Sequence, residues 1–301
     1  MLVPMGVDPV GIVHRNGGVA TTAQLLERVT RWQLRAAVES GHLQRARRGV
    51  YQLPGEPGPR QIAGELHGAV SHLSAAALLR LDTVSEPQAL HVTVPHGVSR
   101  APRDGVVLHR SRHLDADDLI ERCTSPLRTV IDCARTLPFV DALAVADSAL
   151  KLGLVTRPAL LDAASATARA PGRSSCITVA HWADGRAANA FESVLRGRLI
   201  EAGITTFVPQ YAITAGPLSL HVDLADPLAG VVLEADSFEF HGSRADFRRD
   251  CERYDELVAA GWRVLRLPWE LVMHDHERLL RLVRAAMTDG RTGSFERTVP
   301  T

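Results

Sequence analysis

"VVLEADSFEFHG", residues 231–242, decides how the rest of the chain reads. An apolar run of the kind that forms a buried strand ends in Glu234 and Asp236, with His241 close behind. Residues i and i+2 of a strand share a face, and carboxylates taken out of water need a partner. Just upstream, Leu220, Val222 and Leu224 alternate with Ser219, His221 and Asp223, predicting a half-buried strand that turns at "PLAG", 227–230. A hairpin in which Asp226 pairs with Val231 sets Asp223 directly opposite Glu234. Like charges facing each other across a sheet repel. A divalent cation held by the two carboxylates relieves that conflict.

A third acid joins from "FESVLRGRLIEAG", 191–203, whose helical stripe is Phe191, Leu195 and Leu199. Glu192 stands three residues before Leu195 and seven before Leu199, so it points along that stripe toward the sheet. The acids Glu192, Asp223 and Glu234 are therefore candidate site residues, with Asp236 on the same strand face as Glu234. The simpler alternative pairs them with Arg248, Arg249, Arg253 and Arg266.

Around this centre the order of elements is a helix at 190–202, strands near 206–213, 218–225 and 231–236, a helix at 244–260, a strand at 262–267 and a helix at 275–288. Further toward the N-terminus, residues 17–53 read as helix, turn, helix and hairpin. Thr21 or Thr22 caps the first helix and Thr30 the second, which Gly41 stops. The second helix carries Arg31 and Arg35 on one side, and the hairpin adds Arg45, Arg47 and Arg48. Arginines in those places contact phosphates or base edges of a duplex. The plainer reading is a small helical domain with a solvated basic hairpin.

"PGEPGPR", 54–60, is a linker by composition. Residues 61–165 read as an α/β module, with a helix over "HLSAAALLRL", strands over "ALHVTVP" and "GVVLHR", and a helix opened by Ser125-Pro126. His67 and His72 lack a helical ligand spacing and read as ordinary surface or core histidines. The expected organisation is a multidomain α/β chain. It has a winged helix-turn-helix DNA-binding domain at 1–55, the middle α/β module at 61–165 and a connecting segment at 166–189. A mixed β-sheet flanked by helices follows at 190–290.

The bulk numbers set limits. The chain has 301 residues, 46% hydrophobic and 23% charged, and a formal net charge of zero. No apolar run reaches the ~18 residues of a membrane span, and no signal-peptide pattern opens the chain, so the cytoplasm is the expected compartment. Charge is uneven: residues 1–58 hold seven arginines against four acids, and 191–290 hold eleven against sixteen. The first end suits phosphates and the last suits a cation. Cys123, Cys133, Cys176 and Cys251 lie far apart without a CxxC and read as free thiols.

The stretches "FESVLRGRLIEAG", "VPQY", "HVDLADP", "LEADSFEFHG", "RRDCERYDELVAAGWRVLRL" and "WELV" together resemble the very-short-patch-repair-like (Vsr-like) endonuclease domains of the PD-(D/E)xK restriction-endonuclease-like superfamily. That resemblance covers about the last hundred residues. It implies metal-dependent hydrolysis of DNA phosphodiesters with Mg2+ or Mn2+ on Asp223 and Glu234. Glu192 would support the site, Asp236 would stand beside it, and His241 would orient water or protonate the leaving oxygen. His241 reads equally as a strand-end residue bonded to backbone. Two positions depart from the pattern: the superfamily lysine is Asp236 here, and Ser237 stands where relatives usually have glycine. "GGVATTAQLLERV" and "GHLQRARRGVYQLPG", more loosely "SHLSAAALLRL" and "SPLRTVIDCARTLP", resemble AbiEi-type antitoxins of type IV toxin–antitoxin systems. That likeness implies a winged helix on promoter DNA. Two functions follow: a DNA endonuclease delivered by its winged helix, or a non-catalytic antitoxin-like repressor whose nuclease fold has lapsed. The expected partners are double-stranded DNA and a cognate toxin or repair protein, and no membrane.

Overall fold

The computed structural model describes residues 8–55, 57–97, 103–112, 114–167, 171–215, 218–236 and 244–288. Two compact units emerge, one of residues 1–81 with 85–133, the other of 82–84 with 134–301. The stretch 61–165 is thus divided between them.

The first unit opens with α1 (Pro9–Arg15), β1 (Val19–Thr21), α2 (Thr22–Leu26), α3 (Arg31–Glu39) and the hairpin β2 (Gln44–Arg47) and β3 (Val50–Gln52). The helix, turn, helix and hairpin order read from 17–53 is present. Thr21 and Thr30 are the N-caps, and each forms a reciprocal capping box with Gln24 and Gln33 respectively. Strands β1, β3 and β2 form one sheet. Ile12, Val13, Leu25, Val29, Leu34 and Leu43 make the core beneath it.

Next come α4 (Pro59–Glu65), β4 (Ala69–Val70), α5 (His72–Leu78), β5 (Leu90–Pro95) and β6 (Val106–Ser111). A single 3-10 turn, β7 (Leu119–Ile120) and β8 (Cys123–Thr124) then lead into α6 (Pro126–Thr136). The composition of 54–60 hides the start of α4, because proline at the first helical position suits a helix as well as a linker. Gly64 lets α4 lie on β1: a Cβ there would stand 2.1 Å from Val19 Cγ1. The sheet order is β6-β5-β4-β8-β7, with β5 and β6 parallel.

The second unit adds α7 (Phe139–Lys151), α8 (Arg157–Ala166), α9 (Arg173–Trp182) and α10 (Ala190–Glu201). The segment 166–189, expected as a connector, therefore contains a helix. Then follow β9 (Val208–Ala215), β10 (Leu218–Asp226), β11 (Val231–Asp236), α11 (Arg244–Ala259), β12 (Arg263–Pro268), α12 (Trp269–His274) and α13 (His276–Thr288). Strand order is β12-β11-β10-β9, with β11 parallel to β12 and the other pairs antiparallel. One face packs Leu224, Val231, Leu233 and Leu267 against Phe191, Leu195 and Leu199 of α10 and Leu279 and Val283 of α13. The other packs Ile213, Val222, Ala225 and Val232 against Leu257 of α11. A mixed sheet flanked by helices is what the sequence led us to expect.

Helix α10 is buried on nearly every side rather than along one stripe. Its Arg196 meets Asp147 of α7 at 2.8 Å, and Ser193 Oγ and the Asp184 backbone N–H also donate to that carboxylate.

Candidate functional site

Asp226 pairs with Val231, Ala225 with Val232 and Leu224 with Leu233, the register expected from the four-residue turn. The next row holds Asp223 and Glu234, and there the ladder stops. The Ala235 backbone N–H donates to Asp223 Oδ2 at 2.8 Å instead of to a backbone carbonyl. On the other side of β10, pairing with β9 likewise skips the row of Asp223 and Gln210, and Gln210 has φ 49. A non-glycine residue in the left-handed region marks a local break in a strand. Glu234 in turn pairs with Arg266 of β12. One polar row, Gln210, Asp223, Glu234 and Arg266, thus crosses all four strands of the sheet.

Helices close on this row from both sides. From α10, Glu192 is buried and held at three points. The Ala188 backbone N–H and Gln210 Nε2 donate to Oε2 at 2.8 and 2.9 Å, and Asn189 Nδ2 donates to Oε1 at 3.1 Å. Asn189 Oδ1 accepts from the Glu192 N–H, so the acid also serves the helix cap. From α11, Arg253 Nη2 donates to Glu234 Oε1 and to the His221 carbonyl, both at 2.7 Å. Asp236 is paired with Arg266 at 2.6 Å. For Glu234 and Asp236 the arginine pairing weighed from sequence is therefore real.

The electrostatics follow from that packing. Burial pushes the Glu234 carboxyl up to about 8, with the negative charge of Asp223 adding to the rise and Arg253 opposing it. Asp223 is also raised, first by burial, while the Ala235 N–H and a hydrogen bond shared with Glu234 pull it back. Glu192 is raised by burial and, to a smaller extent, by Asp223. Two carboxyls in hydrogen-bond contact hold a proton between them, because both cannot ionise cheaply at that distance. Asp223 and Glu234 are the residues of this row that could hold a divalent cation in place of that proton. Both offer oxygen ligands, the type a hard divalent cation takes, while the oxygens of Glu192 are held by Ala188, Gln210 and Asn189.

The three acids form a chain of neighbours rather than one common point. Among the described residues, the one group of three or more His, Cys, Asp and Glu side chains with ligand atoms within 4.8 Å of one another is His72, His91 and His109. Sequence reading passed over this group. His241 and Ser237 lie outside the described residues.

In the first unit, Arg31, Arg35, Arg45 and Arg48 are exposed. Arg31, Arg35 and Arg45 line one groove between α3 and the hairpin, with Thr22, Leu34 and Tyr51. Arg47 differs: it is half-buried and its guanidinium donates to His67 Nε2, so the chain itself occupies it. Trp32 on α3 is 75% exposed, a large aromatic face that residue counting gave no reason to single out.

Residues 12–54 match the family described as "Transcriptional regulator, AbiEi antitoxin". The uncharacterized protein Rv2248 of Mycobacterium tuberculosis (strain ATCC 25618 / H37Rv) is 31% identical over 261 residues, spanning 83% of this chain and 94% of that protein. The uncharacterized protein MT2308 of Mycobacterium tuberculosis (strain CDC 1551 / Oshkosh) matches with the same figures. Among solved structures, the crystal structure of the RV2827C protein from Mycobacterium tuberculosis is similar with 16% identity and a TM-score of 0.31, covering 71% of this chain and 93% of that one. No helix among the described residues is long and apolar enough to cross a membrane.

Proposed function

Taking as premise that the chain belongs to the family of the Mycobacterium tuberculosis proteins Rv2248 and MT2308, we propose that it is a transcriptional regulator of the AbiEi antitoxin type that binds duplex DNA. The observation that carries this reading is the groove where Arg31 and Arg35 of α3 face Arg45 of the hairpin. In a winged helix-turn-helix, α3 enters the major groove and the hairpin rides the backbone. Arg31 and Arg35 lie one helical turn apart, so both reach the same stretch of groove. Arg45 and Arg48 supply phosphate contacts that fix register. A cognate toxin is the further partner of an antitoxin of this type.

The test is binding of the full chain to duplex DNA from upstream of its own reading frame, followed by fluorescence anisotropy over a salt series. Preference for that DNA over a scrambled duplex, with affinity falling steeply as salt rises, is expected. Equal affinity for both duplexes removes the regulator reading, and no binding at low salt removes the DNA-reading domain altogether.

One observation favours a second activity for the C-terminal sheet, a metal-dependent DNA phosphodiesterase with a restriction-endonuclease-like core. Asp223 and Glu234 are kept in contact at a break in the sheet, at a cost that an apolar pair would not incur. Asp223 and Glu234 would hold Mg2+ or Mn2+, with Glu192 kept beside them by Asn189 and Gln210. Bound there, the cation supplies a more acidic water and neutralises charge on a phosphate. Asp236 occupies the superfamily's lysine position and is paired with Arg266, so the positive charge beside Glu234 comes from Arg253. Supercoiled plasmid incubated with the chain and Mn2+ should be nicked, and Asp223→Asn should abolish nicking. Intact plasmid under all metal conditions leaves the regulator reading standing alone.

A further inference from the structure

We propose that His72, His91 and His109 form a binding site for one divalent transition-metal ion of the Zn2+ class, separate from the carboxylate row. Their ligand atoms lie within 4.8 Å of one another. His91 Nδ1 and His109 Nε2 are 3.0 Å apart. His72 stacks on His109 with ring centroids 3.6 Å apart. Tetrahedral Zn2+ with bonds of about 2.0–2.1 Å holds its nitrogen ligands roughly 3.4 Å from each other, so the cluster is already close to the required size. The stacked rings of His72 and His109 have to turn out of parallel for the three in-plane lone pairs to meet at a common point.

The topology explains why three residues so far apart in sequence meet. Strands β5 and β6 are parallel, with Thr93 beside His109 and His91 beside Val107, so all four project from one face. Strand β4 is antiparallel to β5 and runs straight into α5, which begins at His72. His72 has φ 53, a left-handed conformation that strains a non-glycine residue and that clusters at functional sites.

The surroundings resemble those of bound histidines. Ligating imidazoles hold their second nitrogen in a hydrogen bond, which fixes the ring and its tautomer. His72 Nδ1 is 2.9 Å from Ser71 Oγ, and Thr93 Oγ1 donates to that same oxygen at 2.8 Å. When Nδ1 donates to Ser71, the lone pair is on Nε2. Ser74 Oγ anchors the His91 backbone N–H at 2.9 Å and donates to the Ala89 carbonyl. Burial keeps His91 and His109 in the neutral form that binds metals: His109 is lowered to about 4, with the His91 charge adding to that shift. One of the facing nitrogens, His91 Nδ1 or His109 Nε2, carries the ring N–H; metal binding moves that hydrogen to the other nitrogen of the same ring, so that both lone pairs are free. All-imidazole ligation suits Zn2+, Ni2+, Cu2+ and Co2+ rather than Mg2+ or Ca2+. His72 is buried while His91 and His109 are half-buried, so the ion enters from their side and keeps a position open for water.

The experiment uses the untagged full chain, stripped of metal and titrated with Co2+ in the absence of chelator. One Co2+ per chain that gives visible ligand-field bands, displaced by Zn2+ and not by excess Mg2+, is expected. His91→Gln and His109→Asn should each weaken affinity about a hundredfold or more, and Ser71→Ala about tenfold through the orienting bond. Lack of stoichiometric Co2+ binding by the unsubstituted chain overturns the proposal before any variant is made. Undiminished binding in both His91→Gln and His109→Asn, each checked for folding by circular dichroism, overturns it equally.

Discussion

Arg253 Nη2 lies 2.7 Å from Glu234 Oε1, so the carboxyl that the sheet presses against Asp223 is held by a cation from α11. The balance between that cation and Asp223 sets a pH dependence. The Glu234 carboxyl rises from 4.5 to about 8 in the folded chain. Between those values the native state keeps a proton that the unfolded state releases, so stability falls as pH rises through the window. In urea unfolding with chelator present, the chain should lose stability from pH 5 to pH 8. Glu234→Gln should flatten that slope and be the more stable of the two at pH 8. Parallel profiles for both proteins contradict the assignment.

Arg253→Met should carry the same window upward, because Arg253 lowers the Glu234 carboxyl and nothing in methionine replaces its charge. Combining Arg253→Met with Glu234→Gln should recover most of the lost stability at pH 8, since the carboxylate needing the cation is gone. A double-mutant cycle in urea reads this directly, and additive effects of the two changes would show that the pair is not coupled.

Much of this row was legible in advance. The turn at 227–230 fixes the register as far as Leu224 and Leu233, and Asp223 and Glu234 follow as the next row, where the ladder breaks. The caps at Thr21 and Thr30 were legible because a capping box is local chemistry. What escaped depends on distant pairing. Strands β4 and β8 are two residues each, and the contact of Val70 with Cys123 carries no periodic signal. The meeting of His72, His91 and His109 requires the parallel register of β5 and β6, which no window of sequence contains. Arg47 looked equivalent to Arg45 and Arg48 in the hairpin, because its contact with His67 lies twenty residues away.

Asp147 and Arg196 are both nearly inaccessible, at 1% and 7% side-chain exposure, and their bond ties α7 to α10. Burial raises the Asp147 carboxyl, and Arg196 opposes that rise. Removing one partner strands the other charge in the interior, which costs about 3–5 kcal/mol. Arg196→Met should destabilise the chain by that order in urea unfolding, and Arg196→Met with Asp147→Leu should be less harmful than the single change. A loss below ~1 kcal/mol for Arg196→Met would mean that water reaches the pair.

Thr30 Oγ1 accepts from the Gln33 N–H at 3.2 Å while Gln33 Oε1 accepts from the Thr30 N–H at 2.8 Å. Thr30→Ala removes half of that box at the start of the helix that carries Arg31 and Arg35. A loss of ~1 kcal/mol is expected, with Thr30→Ser close to unchanged. Thermal melts of residues 1–301 read the effect, and an equal loss in Thr30→Ser would point to the methyl group rather than the cap.

The hairpin arginines separate by position. Arg45 and Arg48 are exposed, whereas Arg47 is occupied by His67. Each arginine that neutralises a phosphate contributes about 0.9 to the slope of log affinity against log salt. Arg45→Ala and Arg48→Ala should each lower that slope by about one and weaken binding to all duplexes alike. Arg31→Ala and Arg35→Ala, on the helix that enters the groove, should also narrow the gap between the preferred duplex and a scrambled one. Arg47→Ala should leave the slope nearly unchanged and act on stability instead, through the lost contact with His67. A slope change for Arg47→Ala as large as that for Arg45→Ala would mean that DNA draws Arg47 away from His67, and that this hairpin rearranges on binding.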